Sequence, residues 1–299
     1  MILLWLWRRW RRRREEGAEP EPETPAEFRP TRARRGPTAA ARGPLALVFH
    51  QAFYDFRGFL RNKQARFFTL ALPLLFLVVF VSVFGSDKIG PTNVAARTYY
   101  VPGISALAVI AASFVNLVIT ITVLREEGIL KRRRATPVPA WTLIAGRTLM
   151  AIAVSLISMI VLMLVGRFAY GVRLPTRTIP GIALTAVVGS ISFCALAYAF
   201  STLIENEDAA QPMVQAIMLP LYFISGVFVP AVNLPNWLKH VAQVFPVEHL
   251  SDGLHHAFAP TTSGVGIIWS DIGVLALWGV IGLIFALWRF SWLPKAATT

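Results

Sequence analysis

The sequence is poor in sulfur chemistry and in negative charge. Among 299 residues there is one cysteine, Cys194. A single thiol excludes an intramolecular disulfide and a cysteine-based metal cluster, and it leaves the compartment unreadable from redox chemistry. Asp and Glu number 16 against 29 Lys and Arg, and charged residues together make up 15% of the chain, below the soluble average of about 25%. No glycine is followed directly by lysine, so the G-x-x-x-x-G-K-[S/T] phosphate loop is missing. The chain cannot hydrolyse ATP by that machinery.

What is abundant is apolar: 55% of residues are hydrophobic and the mean hydropathy is +0.57. That is more apolar surface than one soluble core can bury. The net charge of +13 has the sign of a nucleic-acid binder, but 15 of the 29 basic residues precede the first apolar run. The basicity is therefore a tail property, and no nucleic-acid partner is expected.

The tail itself has little order to offer. Met1 to Arg14 places a short apolar segment before an arginine run, the reverse of a secretory signal. Glu15 to Pro44 is rich in Pro, Glu, Arg, Ala and Gly without hydrophobic periodicity, so residues 1–44 are expected to be a disordered basic tail. A start codon as late as about Arg42 is the alternative to Met1, and no function is placed there. Residues 291–299 form a short second tail.

Between the tails lie six apolar runs: Phe67–Phe84, Val101–Leu124, Thr148–Val165, Ile179–Ile204, Met213–Val229 and Ile268–Trp288. Each is near or above the roughly 18 residues needed to span a bilayer as a helix. The expected fold is thus an all-α membrane protein with a six-span domain over residues 67–290. Pro73 and Pro220 should kink or break the first and fifth spans. Ala186, Ser190 and Cys194 recur at four-residue spacing in the fourth, a small-residue face for helix packing, and Cys194 reads as a buried residue rather than a reactive one.

Two segments read as lying at the membrane surface. In residues 45–66, Leu45, Val48, Phe49, Ala52, Phe53 and Phe56 recur at spacings of three and four beside Arg57, Arg61, Lys63 and Arg66, as in an interfacial helix facing lipid headgroups. A simple extension of the first span is the alternative. Between the fifth and sixth spans, Pro235–Pro260 is amphipathic and too polar to cross, which suggests an external re-entrant or interfacial piece. It gathers His240, His249, His255 and His256 with Glu248 and Asp252. On a helix His249, Asp252 and His256 would share a face, but helix-end hydrogen bonding explains such histidines equally well, and no metal is expected.

Lys and Arg in the connections set the orientation. The opposite side carries Lys88, Arg97, Arg167, Arg173, Arg177 and Lys239, six residues against 23 on the side of the termini. Six spans then place both termini in the cytoplasm of a cell whose plasma membrane holds the chain.

Transport needs an energy source, and ion coupling usually needs an ionisable residue near the membrane midplane. The five later runs have none at mid-depth, and Asp271 lies at the outer end of the last. An ATPase on a separate chain would need only a docking surface. The connection Arg125-Glu-Glu-Gly-Ile-Leu-Lys-Arg-Arg-Arg-Ala-Thr-Pro-Val-Pro139 has the composition of one. Acidic residues open it, Gly128 interrupts it, basic residues follow and Pro137 and Pro139 stop it. Positive-inside anchoring would explain Lys131 to Arg134 but not Glu126 and Glu127.

This stretch resembles the loop after the second span of type-2 permeases of ATP-binding-cassette (ABC) exporters, especially the daunorubicin-resistance-like branch. A second likeness is S-G-V-F-V-P, Ser225 to Pro230, followed by L-P-N-W-L, Leu234 to Leu238, and Phe245-Pro246. The resemblance covers roughly residues 45–290. It implies a homo- or heterodimer of permeases in membrane lipid, served by two cytoplasmic ATPase subunits that bind the ATP, with no cofactor on this chain. It also implies coupling at Arg125, Glu126, Glu127, Gly128, Lys131, Arg132, Arg133 and Arg134, and a pathway bordered by Phe114, Asn116, Gln215 and Tyr222. Where the family often has a polar pair after the F-P step, this chain has Val247-Glu248-His249.

The function expected is efflux of a hydrophobic drug-like molecule or lipid, with an antibiotic-resistance role and no enzymatic activity. A lipid-linked glycan permease is the alternative, then an ion-coupled secondary transporter. A lipid-modifying enzyme would have only the external His, Glu and Asp group, without a nucleophile motif.

Overall fold

A computed structural model describes residues 43–86, 88–89, 94–130, 140–262 and 264–289. Residues 1–42 of the first expected tail, the whole of the second, and Lys131 to Pro139 of the charged loop lie outside the described residues, whereas Pro44, expected in the tail, opens the first helix.

Helix α1 spans Pro44–Arg61, with a proline in its first turn. It ends where Asn62 turns extended, at φ −83° and ψ 103°. The Asn62 side chain then accepts a hydrogen bond from the Ala65 amide at 3.0 Å and caps the next helix. The surface helix is therefore shorter than residues 45–66, and Lys63 to Arg66 begin the first apolar helix. One stripe of α1, with Val48, Ala52 and Phe59, is buried, while Leu45, Phe49 and Phe53 remain exposed. Two apolar faces on one helix suit packing on protein below and lipid beside it.

Among the described residues, five helices are long and apolar enough to cross a membrane: α2 (Lys63–Phe84), α3 (Ala96–Glu126), α4 (Ala140–Tyr170), α5 (Ile179–Ser201) and α9 (Trp269–Arg289). The expected Met213–Val229 run is not among them. Its helix, α6, covers Glu207–Ile224, and Glu207, Asp208, Gln211, Pro212 and Gln215 make it more polar than the other five. After α6 come two short helices, α7 (Asn236–Ala242) and α8 (Pro246–Phe258). A two-residue antiparallel pair, Lys88–Ile89 with Val94–Ala95, joins α2 to α3.

The prolines act locally. A proline cannot donate to the carbonyl four residues back and crowds it. Ahead of Pro73 the backbone widens into a π-turn at Phe67–Ala71, so α2 runs on rather than breaking. Pro220 lies inside α6, which is continuous to Ile224. A second π-turn, Ala111–Val115 in α3, packs against the first.

Helix α3 is the hub, buried along most of its length and packed on α2, α4, α5 and α8. Its hydroxyls fold back on their own helix: Ser105 to the Val101 carbonyl, Ser113 to Val109 and Thr122 to Val118. Polar side chains are thereby satisfied inside an apolar span. Ala186, Ser190 and Cys194 of α5 are all buried, as their spacing suggests, and Ser190 shares a 2.8 Å hydrogen bond with Ser155 of α4. On the other side of α5, Gly282 of α9 sits so close that an added Cβ would lie 2.9 Å from the Leu196 amide nitrogen.

Candidate functional site

The structure divides the charged-loop residues sharply. Arg125 is only 3% exposed. Its Nη1 donates to the Ser201 carbonyl at 2.9 Å and its Nη2 to the Ile204 carbonyl at 2.7 Å. These carbonyls end α5 and begin the turn to α6, where helical geometry leaves acceptors without partners. A guanidinium fork suits two carbonyls at once, so Arg125 ties the end of α3 to the α5–α6 turn. Glu126 is half-buried and Glu127 exposed. Gly128 adopts φ +67°, a left-handed geometry that a side chain disfavours, and terminates the helix. Glu127 thus faces outward and Glu126 partly so, while the arginine beside them faces in.

Next to this end of the bundle is a cavity of about 550 Å³, bounded by α1, α2, α3 and α4. Its polar wall includes Gln51, Asp55, Asn62, Asn116, Thr120 and Arg147. Asp55 accepts from Gln51 Nε2 at 2.8 Å and faces Arg147 Nε at 3.7 Å, with both side chains largely shielded from solvent. A cavity of about 170 Å³ adjoins it, sharing Asn62, Ala65, Asn116 and Thr120 and reaching Gln211 of α6. Both π-turns line this smaller space, through Phe68 and Thr69 on one side and Ala111 and Val115 on the other. The crevice that these neighbouring cavities line is amphipathic, and the larger of them lies within the size range of small-molecule sites, about 300–1,000 Å³.

Of the four pathway candidates, Asn116 lines both cavities. Phe114, two residues earlier, is buried, its ring 6.3 Å from Phe193 and 5.6 Å from Phe200, and belongs to the packed core. Tyr222 is also buried and packs on Phe228, which stacks on Phe80 in an aromatic cluster at the opposite end. Gln215 is half-buried on α6, while Gln211, one turn earlier, is the residue that reaches the crevice. Asp55 and Arg147 were not singled out from sequence. The available signal was a lone acid on the apolar side of a basic amphipathic helix, and an arginine following a glycine near the start of a span.

The opposite end holds the histidines. Helix α8 is buried through Val247, Leu250, Leu254 and Phe258 against α3, α5 and α9, and Thr178 Oγ1 donates to the Ala257 carbonyl at 2.5 Å. His249 Nδ1 meets Asp271 Oδ1 at 2.9 Å, and its Nε2 meets the Gln243 carbonyl at 2.9 Å. Both partners are acceptors, so the ring satisfies them together only as the imidazolium. The hydrogen bond to Asp271 accordingly raises the His249 pKa above its usual range, against the cost of burial. His255 behaves oppositely: burial lowers it to about 4, and Nδ1 donates to the Ser251 carbonyl at 2.8 Å. Among the described residues, no cluster of His, Cys, Asp and Glu is arranged to hold a metal.

Apolar helices gathered around a partly polar crevice, with a charged loop at one end, define a multi-pass membrane protein of the permease class. The family of ABC-2 type transporters matches residues 51–259, and the chain belongs to that family. Among its relatives is the probable multidrug ABC transporter permease YbhR of Escherichia coli (strain K12), 22% identical over 198 residues, 63% of this chain and 53% of YbhR. The chain therefore spans about half the length of that relative. The ycf38 protein of Porphyra purpurea is 25% identical over 213 residues, 68% of this chain and 72% of its own. The inner membrane transport permease YadH of E. coli (strain K12) is 20% identical over 224 residues, 71% of this chain and 87% of YadH.

Proposed function

We propose that this chain is the membrane subunit of an ABC exporter of the daunorubicin-resistance-like kind, moving an amphipathic drug-like molecule or lipid out of the cytoplasm. ATP is hydrolysed on a separate cytoplasmic subunit, and a second permease copy or homologue completes the pathway. The observation that carries this reading is the crevice around Asn116. It opens between the interfacial helix and the spans, mixes polar with apolar lining, and lies beside the Arg125 end of the bundle. An amphipathic molecule in the inner leaflet matches such a lining. The name of YbhR supports a drug-like cargo, and the missing phosphate loop supports a partner ATPase.

Helix α6 acts as the sixth span in this reading. Its Gln211 reaches the crevice, and α7 with α8 then caps the external end as a re-entrant pair. Both termini are cytoplasmic. Glu126 and Glu127, with Lys131 to Arg134, dock the ATPase, while Arg125 positions them from inside.

The test is efflux from inverted vesicles carrying the chain with its partner ATPase, followed with a fluorescent amphiphile. ATP-dependent accumulation that is lost without the partner is expected, together with no ATP turnover by the purified chain. Turnover by the chain alone, or accumulation without the partner, would overturn the proposal.

A further inference from the structure

A third cavity, of about 340 Å³, lies at the end of the bundle opposite Arg125. Its floor is α8, its sides are the start of α3 and the turn after α6, and Ile268 closes it near the start of α9. Three observations set its chemistry.

The first is charge without a counter-charge. Glu248 and Asp252, one helical turn apart on α8, both line it, and among the described residues neither makes an ion pair. The neighbouring histidines compensate only in part: His249 attracts both carboxylates and His256, also in the lining, attracts Asp252, but neither is within ion-pair distance of them. His249 is engaged with Asp271, and His255, in the wall itself, is kept neutral by burial. Burial and the nearby Asp252 push the Glu248 carboxyl up to about 7, against the attraction of His249.

The second is an orphaned hydroxyl. Ser225, where α6 ends, is 1% exposed and lines the cavity, and its Oγ has no hydrogen-bond partner among the described residues. A buried hydroxyl left unpaired carries a desolvation cost that a ligand would relieve. The third is the rest of the wall, where Tyr99, Pro102, Phe258 and Ile268 offer apolar surface. The space is far larger than a bare ion needs.

We propose that this outer cavity binds the ammonium group of an amphipathic amine, with Glu248 and Asp252 supplying charge, Ser225 a hydrogen bond, and the apolar wall the contact for the hydrocarbon. An ammonium has three N–H donors for these oxygens and needs no rigid coordination geometry. As an exit subsite the cavity rests on the exporter reading, but amine binding itself does not. The amine is either a transported molecule or the headgroup of an aminophospholipid in the outer leaflet.

The test uses the full chain in phosphatidylcholine nanodiscs, titrated with dansylcadaverine, which carries a primary ammonium, and with its neutral N-acetyl derivative. Saturable binding of the amine is expected. Glu248→Gln with Asp252→Asn should weaken it by roughly tenfold or more, while leaving the acetylated compound unaffected. Ser225→Ala keeps both carboxylates and should weaken the amine several-fold. Equal affinity for the two compounds, or unchanged amine affinity in a double variant with the wild-type melting temperature, overturns the proposal. So does displacement of the amine by micromolar zinc or manganese, which would make this a metal site. Adding phosphatidylethanolamine separates the two sources: competition identifies the lipid headgroup, and its absence a free amine. ATP-driven efflux of the neutral derivative by the permease–ATPase complex is followed in parallel. Efflux that persists when the amine does not bind removes this site alone; binding without efflux removes the exporter reading alone.

Discussion

Arg125 shows how far one side chain's place in a motif can mislead about its job. It opens a charged stretch, yet its guanidinium is buried on the carbonyls of Ser201 and Ile204. Two charge-assisted hydrogen bonds of this kind are worth roughly 1.5–3 kcal/mol each. Arg125→Ala should therefore lower the apparent melting temperature of the nanodisc-embedded chain and expose the 202–206 turn to protease. Arg125→Lys offers a point charge instead of a fork and should recover only part of the loss. Wild-type protease resistance in the alanine variant would show that the clamp does not hold the turn.

His249 carries a prediction with a definite sign. Its partner Asp271 holds the folded-state pKa above the unfolded value of 6.5. The folded state thus binds the proton more tightly, so the stabilisation is full below about pH 6.5 and is lost as pH rises through the raised value. Glu248 nearby favours the same charged form. Melting curves from about pH 6 to about pH 8 should show the wild type losing more stability than Asp271→Asn, in which the paired carboxylate is gone. Parallel losses in the two proteins would contradict the pairing.

At the scale of elements, packing distances distinguish glycines that look alike in sequence. Gly282 and Gly273 both lie in α9, but a Cβ on Gly282 meets the backbone of Ala195 and Leu196 at 2.9–3.1 Å, while one on Gly273 meets nothing within 4 Å. Gly282→Ala must push α9 off α5, at an overpacking cost of typically 1–3 kcal/mol, and should lower the melting temperature. Gly273→Ala should leave it unchanged or raise it, since alanine favours helix by up to about 1 kcal/mol. A melting temperature lowered equally by both would mean that the α5–α9 contact is loose.

The same contrast explains what could be read before the structure. Helices α2, α3, α4, α5 and α9 were visible because a span facing lipid must be apolar along its length, and that constraint is written in composition. Helix α6 was misplaced at both ends because the expected run began where its polar first turns stop. The Asn62 break was missed because the basic flank of α1 continues in sequence through Arg61, Lys63 and Arg66 while the backbone turns aside at Asn62. Asp55 with Arg147, and Arg125 with Ser201, were invisible for a different reason. Each joins residues separated by about 75 to 90 positions, and local pattern holds no information on such pairs.

For the whole molecule, these contacts would give the proposed coupling acids a mechanical path to the crevice. Glu126 and Glu127 sit at the end of α3, α3 packs against most of the bundle, and Arg125 locks that end to the α5–α6 turn. Helix α6 starts at this turn and reaches the crevice at Gln211, which also borders Asn116 of α3. A push on the two acids by a moving ATPase would therefore displace both helices that wall the crevice. Replacing Glu126 and Glu127 by alanine removes the outward charges while keeping the Arg125 clamp, so the permease should fold, insert and melt as the wild type does. Each lost charge-assisted contact with the partner weakens docking by about 1.5–3 kcal/mol. ATP-driven efflux per inserted permease should fall at least tenfold, with a matching loss of the ATPase in pull-downs. Under simple positive-inside anchoring the reverse holds, because removing two acids only increases the positive charge on that side. Efflux and pull-down at wild-type levels in the double variant would leave these acids without a coupling role and move the search to Lys131 to Arg134.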